Sequence, residues 1–141
     1  MNVMVYTRTK NSKNKHEHHV SKKTLLENSD VISLHCPLTD KTRNLIGYEE
    51  LKRMKKSAIL INTARGALVE STALLNAIKE KEILGAVIDV LPKEPPSEGD
   101  PILEFQCNNL IVTPHIAWGT IEARQNAINK LAENIRSFKN N

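Results

Sequence analysis

Several residue types that mark specialised protein classes are scarce in this sequence. The only two cysteines, Cys36 and Cys107, stand far apart among 141 residues, which favours neither a disulfide framework nor a CxxC metal site. Aromatic residues make up only 4%, and no basic stripe with interleaved aromatics indicates nucleic-acid binding. No apolar run approaches the roughly 20 residues of a membrane span, and no secretory signal pattern is present. We therefore expect a cytoplasmic protein that binds neither membrane nor nucleic acid.

The sequence does contain enough apolar residues for one domain. Hydrophobic residues make up 40% of the chain, and a domain of this length can bury roughly two-thirds of its unfolded surface. The net charge of +4 is concentrated near the N-terminus. We interpret this basic cluster first as a solvated loop, with metal binding by the HEHH segment (residues 16–19) or attraction for phosphate as alternatives. Its cationic members are Arg8, Lys10, Lys13, Lys15, Lys22 and Lys23.

Strand and helix patterns alternate along the chain, which predicts an α/β domain with a mainly parallel sheet. The strand segments are apolar rather than alternating, as expected where helices cover both faces of a sheet. The segments 11–19 and 91–101 are polar or proline-rich and indicate loops. The patterns predict strands over 2–6, 30–35, 58–61, 83–90 and 109–114, and helices over 21–28, 47–55, 70–82 and 118–138.

Three polar residues follow three successive predicted strands. Arg65 comes after AILI, Glu94 after GAVIDV and His115 after LIVT. Ligands of open parallel sheets bind beyond the carboxyl ends of the strands, so neighbouring strands would bring these side chains to one crevice. Each residue also has a simpler interpretation. The arginine could form a surface ion pair, the glutamate could be solvated, and the histidine could lie in the core with its hydrogen bonds made by other protein groups.

Together the three residue types suit the reduction of a 2-keto acid. A guanidinium can hold a carboxylate through two hydrogen bonds, and an imidazole can give or take a proton near neutral pH. A glutamate beside the imidazole would favour its charged form and orient the ring. No side chain can supply a hydride, so a nicotinamide cofactor is implied.

Four segments, in order, resemble the signatures of the D-isomer-specific 2-hydroxyacid dehydrogenases. They are SDVISLHCPLTDKTRNLIG, ILINTARGALVE, GAVIDVLPKEPP and NNLIVTPHIAW. The similarity runs from about residue 2 to residue 139, and the PHIAW and EPP segments resemble the glycerate dehydrogenase (hydroxypyruvate reductase) branch most. The resemblance implies a Rossmann-type doubly wound parallel sheet, an NAD or NADP cofactor, and a homodimer in the full-length family.

The resemblance also implies roles for individual positions. Arg65 corresponds to the family's substrate-binding arginine, Glu94 to the glutamate that supports the histidine, and His115 to the proton donor and acceptor. Asp89 corresponds to the aspartate near the nicotinamide amide. The implied cofactor-binding residues are Thr7, Arg8, His35, Cys36, Pro37, Thr42, Thr63, Ala64, Arg65, Asp89 and His115, and no residue is implied as a metal ligand.

The sequence departs from the family in its nucleotide-binding half. It contains no GxGxxG loop, which in the family follows the first strand, and it begins at the family's second strand, NVMVY. We therefore expect a C-terminal fragment: a partial dinucleotide-binding domain over 1–117, and a C-terminal helix over 118–141 that packs toward the absent substrate domain. The lost strand would lie between NVMVY and the AILI strand, so we expect the two strand edges there either to face a gap or to pair differently.

Two questions remain open from the sequence. The cationic segment after NVMVY, which includes Arg8, could favour the 2′-phosphate of NADP, or it could be an ordinary basic loop in an NAD enzyme. The chain could act as an oxidoreductase on glycerate and hydroxypyruvate, or it could be a non-catalytic dinucleotide-binding module or an inactive remnant.

Overall fold

The computed structural model describes residues 1–7, 18–96 and 99–139. Its strands are β1 (Met4–Val5), β2 (His18–His19), β3 (Val31–Leu34), β4 (Ile59–Asn62), β5 (Gly85–Ile88) and β6 (Leu110–Val112). Its α-helices are α1 (Lys22–Asn28), α2 (Tyr48–Arg53), α3 (Ser71–Lys79), α4 (Pro101–Glu104) and α5 (Ile121–Lys139), and a 3₁₀ turn spans Gly66–Leu68. The predicted α/β alternation is confirmed.

The main sheet has four parallel strands in the order β3-β4-β5-β6. Its register aligns Ile32 with Leu60, Leu60 with Ala86, and Ala86 with Leu110. β1 and β2 form a separate two-stranded parallel sheet. The predicted place of the lost strand, beside the AILI strand, is wrong, because β4 is paired on one edge with β3 and on the other with β5. The carboxyl ends of β4, β5 and β6 therefore lie side by side.

One face of the four-stranded sheet forms the hydrophobic core with α1, α2 and α3. Ile32, Leu60 and Ala86 on this face belong to one buried cluster with Leu26 of α1 and Leu74 of α3. Apolar burial of this kind stabilises a fold by about 25 cal/mol per Å².

The opposite face is only partly covered within the described residues. Val31 on β3 and Ile111 on β6 are 53% and 55% exposed. The apolar pattern of the strands led us to expect helices on both faces, and at the two outer strands this expectation is not met.

Local hydrogen bonds explain where the helices begin. The Ser21 hydroxyl accepts a bond from the Thr24 amide, as predicted for the cap of α1. Lys22 Nζ lies 2.8 Å from Glu50 Oε1, and this ion pair joins α1 to α2.

Helix α4 was not predicted, because its residues lie in the proline-rich segment that we assigned to a loop. Asp100 caps α4 and Pro101 occupies its first turn, where a missing amide hydrogen costs little. The strand β2 also lies in a predicted loop.

The C-terminal helix α5 buries none of its residues. Its predicted apolar stripe is present but exposed: Ile121, Ile128, Leu131 and Ile135 are 51–75% accessible. No helix in the described ranges has both the length and the apolar character needed to cross a membrane.

Candidate active site

The structure brings two of the three predicted catalytic side chains into direct contact. His115 Nδ1 lies 2.6 Å from Glu94 Oε2, although the residues are 21 positions apart in the chain. An ionised carboxylate can only accept hydrogen bonds, so Nδ1 carries the hydrogen and Nε2 is the nitrogen left for a ligand. Both side chains are partly exposed, at 43% for His115 and 36% for Glu94.

Glu94 is held in place by a second bond. Its Oε1 accepts a hydrogen bond of 2.8 Å from the Leu91 amide. This backbone bond, the His115 bond and the nearby charges of His115 and Arg65 lower the pKa of the Glu94 carboxyl, against a smaller opposing effect of burial. The carboxylate is therefore charged at neutral pH and can orient the imidazole.

Asp89 fixes the segment that carries the histidine. It is 2% exposed and accepts hydrogen bonds from the Ile116 and Ala117 amides, each at 2.9 Å, and from the Thr113 hydroxyl. Burial opposes its charged form most strongly, but these three bonds and nearby His115 outweigh that effect, so the pKa of the carboxyl is lowered. The residues on both sides of His115 are thereby tied to the end of β5.

Arg65 lies in a tight turn after β4. The buried Asn62 side chain closes this turn: its amide group donates to the Arg65 carbonyl at 3.0 Å, and its carbonyl accepts from the Ala64 amide at 3.1 Å. The guanidinium is exposed and its Nη1 donates to the Ala64 carbonyl at 2.6 Å. It is near enough to Glu94 for its charge to act on that carboxylate.

The remaining predicted cofactor-binding residues fall into three groups. His35, Cys36 and Pro37 follow β3, where the Thr42 hydroxyl donates to the Pro37 carbonyl at 2.8 Å, so this segment and Thr42 meet. The second group, Thr63 and Ala64, lies in the turn before Arg65 and is partly buried. The third group is separate: Thr7 follows β1, which belongs to the other sheet, and Arg8 lies outside the described residues.

Three residues to which the sequence assigned no role take part in the site. Asn62 shapes the arginine turn, Thr113 bonds Asp89, and the Trp118 indole donates to the His115 carbonyl at 2.9 Å. An asparagine directly before a turn is a recognisable signal, because its side chain commonly bonds the backbone two residues on. The roles of Thr113 and Trp118 depend on contacts that no local pattern reveals.

The residues at this edge fit the nicotinamide end of a dinucleotide. The His115 Nε2 atom makes no hydrogen bond to another described residue, and the Arg65 guanidinium bonds only its neighbour's carbonyl in that part of the chain. Nε2 is therefore open to a ligand, and the guanidinium retains donors for one. His35, Thr42 and Thr63 are partly or fully exposed at strand ends of the same sheet edge. Among the described residues, no group of three or more histidine, cysteine or acidic side chains could hold a metal ion.

Comparisons with known proteins show which family the chain resembles. A family profile described as "D-isomer specific 2-hydroxyacid dehydrogenase, NAD binding domain" matches residues 1–117. The chain is 52% identical over 119 residues to a glycerate dehydrogenase of Methylorubrum extorquens. The aligned segment covers 84% of this chain and 38% of that protein.

Two solved structures have the same fold. The chain superposes with a TM-score of 0.83 and 35% identity on an acyclic imino acid reductase in complex with NADPH and D-Arg, covering 96% of this chain and 42% of that one. For a D-lactate dehydrogenase of Aquifex aeolicus complexed with NAD and lactic acid, the TM-score is 0.80 and the identity is 33%. The superposition covers 99% of this chain and 46% of that one. This chain therefore spans less than half the length of each of these proteins.

Proposed function

The chain belongs to the D-isomer-specific 2-hydroxyacid dehydrogenase family, and we propose that it carries the catalytic residues of an NAD(P)-dependent oxidoreductase. The reaction would interconvert a D-2-hydroxy acid and a 2-keto acid, with glycerate and hydroxypyruvate as the first candidates. The observation that carries the proposal is the contact of 2.6 Å between Glu94 and His115 beside the exposed Arg65. The 52% identity to a glycerate dehydrogenase supports the choice of substrate.

Each of the three side chains has a role that its surroundings allow. Arg65 holds the substrate carboxylate, because it is always charged and its fork matches two carboxylate oxygens. His115 gives a proton from Nε2 to the keto oxygen during reduction and takes it back during oxidation. Glu94 fixes the ring through Nδ1 and stabilises the imidazolium form. A nicotinamide cofactor, when bound, supplies the hydride.

The cofactor would lie along the strand ends. We propose that His35, Cys36, Pro37, Thr42, Thr63, Ala64 and Asp89 line its nicotinamide side, and that Thr7 and Arg8 lie toward its ribose. Whether NAD or NADP is preferred depends on that second group, where Arg8 would favour a 2′-phosphate. The family profile and the cofactors bound in the related structures support both candidates.

The C-terminal helix α5 supports a further part of the proposal. Because its apolar stripe is exposed along the whole element, we propose that residues 118–141 pack toward a substrate-binding domain, while residues 1–117 form the dinucleotide-binding part. We also propose that the full-length protein is a cytoplasmic homodimer.

A chimera tests the proposed activity. The matched 119-residue segment of the M. extorquens glycerate dehydrogenase is replaced by the corresponding part of this chain, and hydroxypyruvate reduction is measured with NADH and with NADPH. The chimera should turn over, and His115→Asn should lower kcat by about 10²- to 10⁴-fold. His18→Asn, at an exposed position in β2, serves as the matched control and should leave kcat unchanged.

Two results would contradict the proposal. One is a folded chimera that retains full turnover after His115→Asn. The other is a folded chimera that binds NADH or NADPH without reducing hydroxypyruvate, glyoxylate or another 2-keto acid, which would indicate a non-catalytic dinucleotide-binding module.

A further inference from the structure

The backbone of His115 adopts an uncommon conformation. Its φ is 55°, in the left-handed region that residues with a Cβ rarely occupy. Such a conformation persists only where the surrounding contacts determine it. The direction of the imidazole depends on this backbone, so the contacts that hold it bear on the Glu94–His115 pair.

The polar groups of the His115 main chain each have one partner among the described residues. The His115 amide donates to the Thr113 carbonyl at 3.0 Å, and the His115 carbonyl accepts from the Trp118 indole at 2.9 Å. Asp89 holds the next two amides, those of Ile116 and Ala117. The peptide unit immediately after the histidine is therefore held at both ends, by the indole at its carbonyl and by Asp89 at its amide.

Trp118 lies outside the hydrophobic core of the described residues. The residue is 62% exposed, and it does not belong to the hydrophobic core. Its position is nevertheless well determined, because it lies in a turn that the Gly119 amide closes on the Ile116 carbonyl at 2.7 Å. Within the described residues, Trp118 reaches His115 through its indole nitrogen.

We propose that Trp118 is a positioning residue, which fixes the His115 main chain and thereby keeps the imidazole in register with Glu94. The effect of Trp118 on catalysis rests on the proposed function. Its effect on the position of the imidazole does not, and can be tested separately. The indole N–H can only donate, so removing it leaves the His115 carbonyl without this partner. The histidine then samples other backbone conformations, and the Nδ1–Glu94 bond opens more often.

Proton NMR of the full chain tests this directly. In the parent chain, the hydrogen on His115 Nδ1 should give a low-field resonance that exchanges slowly with water. Trp118→Phe keeps an aromatic ring but removes the donor, and should speed that exchange by about two- to tenfold, the factor that corresponds to one ordinary hydrogen bond. Ile116→Ala, a truncation of another exposed side chain in the same turn, is the matched control and should leave the exchange unchanged.

A second measurement needs no variant. Trp118 is the only tryptophan of the chain, so its indole resonance is unambiguous. The indole hydrogen should exchange more slowly than that of a free indole. An unprotected indole hydrogen, or equal effects of Trp118→Phe and Ile116→Ala on the His115 resonance, would overturn the inference.

The chimera separates this inference from the proposed function. With Trp118→Phe, kcat should fall while KM for hydroxypyruvate stays constant, because the substrate carboxylate is held by Arg65. If the parent chimera is inactive, the proposed function fails, and the two NMR measurements still decide the role of Trp118. If the parent is active and Trp118→Phe has the parent kcat and the parent exchange rate, the inference alone fails.

Discussion

Gly66 and Leu91 approach each other so closely that no side chain fits between them. A Cβ placed on Gly66 would lie 2.0 Å from the Leu91 carbonyl carbon and 2.3 Å from the nitrogen of Pro92. Gly66 directly follows Arg65, and the Leu91 amide bonds Glu94. This backbone contact therefore joins the turn that carries the arginine to the loop that carries the glutamate.

Gly66→Ala should force these two loops apart, because the clash is with backbone atoms that cannot rotate away. Overpacking of this kind lowers the free energy of unfolding by about 1–3 kcal/mol or more. Urea unfolding measures the change. Gly47→Ala is the control: the nearest atom to its added Cβ is the tip of the Glu70 side chain, at 3.1 Å, which can move. Equal effects of the two substitutions would contradict the tight contact.

Asp89→Asn should weaken the segment that carries His115. Asp89 accepts the Ile116 and Ala117 N–H groups on different oxygens, and an asparagine offers only one oxygen, so one of the two N–H groups would face an NH2 group and lose its acceptor. The other bond would lose the charge that strengthens it. We expect the free energy of unfolding to fall by about 1–3 kcal/mol. Asp30→Asn is the control, since this carboxylate pairs with Lys55 at the surface and should contribute no more than about 1 kcal/mol. A loss no larger than that of the control would argue against the proposed anchoring role.

The lowered pKa values of Asp89 and Glu94 predict how stability depends on acid pH. A carboxyl whose pKa is lower in the folded chain contributes stability that is fully present above its ordinary pKa, about 3.9 for aspartate and 4.3 for glutamate. That contribution to stability is lost as the pH falls through the lowered pKa of the folded chain. The urea midpoint should therefore drop from about pH 5 downward, and Asp89→Asn should make this drop shallower. An identical slope in parent and variant would show that Asp89 titrates alike in the folded and unfolded chain.

Arg65→Lys should mainly impair binding of the substrate. A lysine keeps the charge but cannot make the paired, planar hydrogen bonds that a guanidinium offers a carboxylate. In the chimera we expect KM for hydroxypyruvate to rise more than kcat falls. Arg53→Lys, on α2 and paired at the surface with Glu27, is the matched control. A KM that stays constant in Arg65→Lys would remove the arginine from substrate binding.

The sequence was sufficient to predict which residues follow the strands. The segments AILI, GAVIDV and LIVT are short apolar runs ended by polar residues, and the parallel-sheet rule places such ends along one edge. The structure shows these strands as neighbours, with Glu94 on His115. This contact joins residues that lie far apart in the chain, so it could be predicted from topology but not from local pattern.

Other features could not be predicted because they depend on tertiary contacts. Val31 is as apolar as Ile32, yet it is exposed while Ile32 is buried, since coverage of a sheet face depends on what packs there. The left-handed backbone of His115 and its bond from Trp118 belong to a turn that Asp89 ties to β5 across a long stretch of chain. Helix α4 was missed because a proline-rich segment also supplies a favourable cap and first turn.

The central claim is that Glu94 acts through His115 on one reacting molecule. The most direct measurement is kcat/KM for hydroxypyruvate in the chimera carrying Glu94→Gln, His115→Asn, or both. Residues that act as a unit are not additive, so we predict that Glu94→Gln lowers kcat/KM in the parent but causes no further loss once His115 is replaced. Equal losses from Glu94→Gln in both backgrounds would contradict the claim.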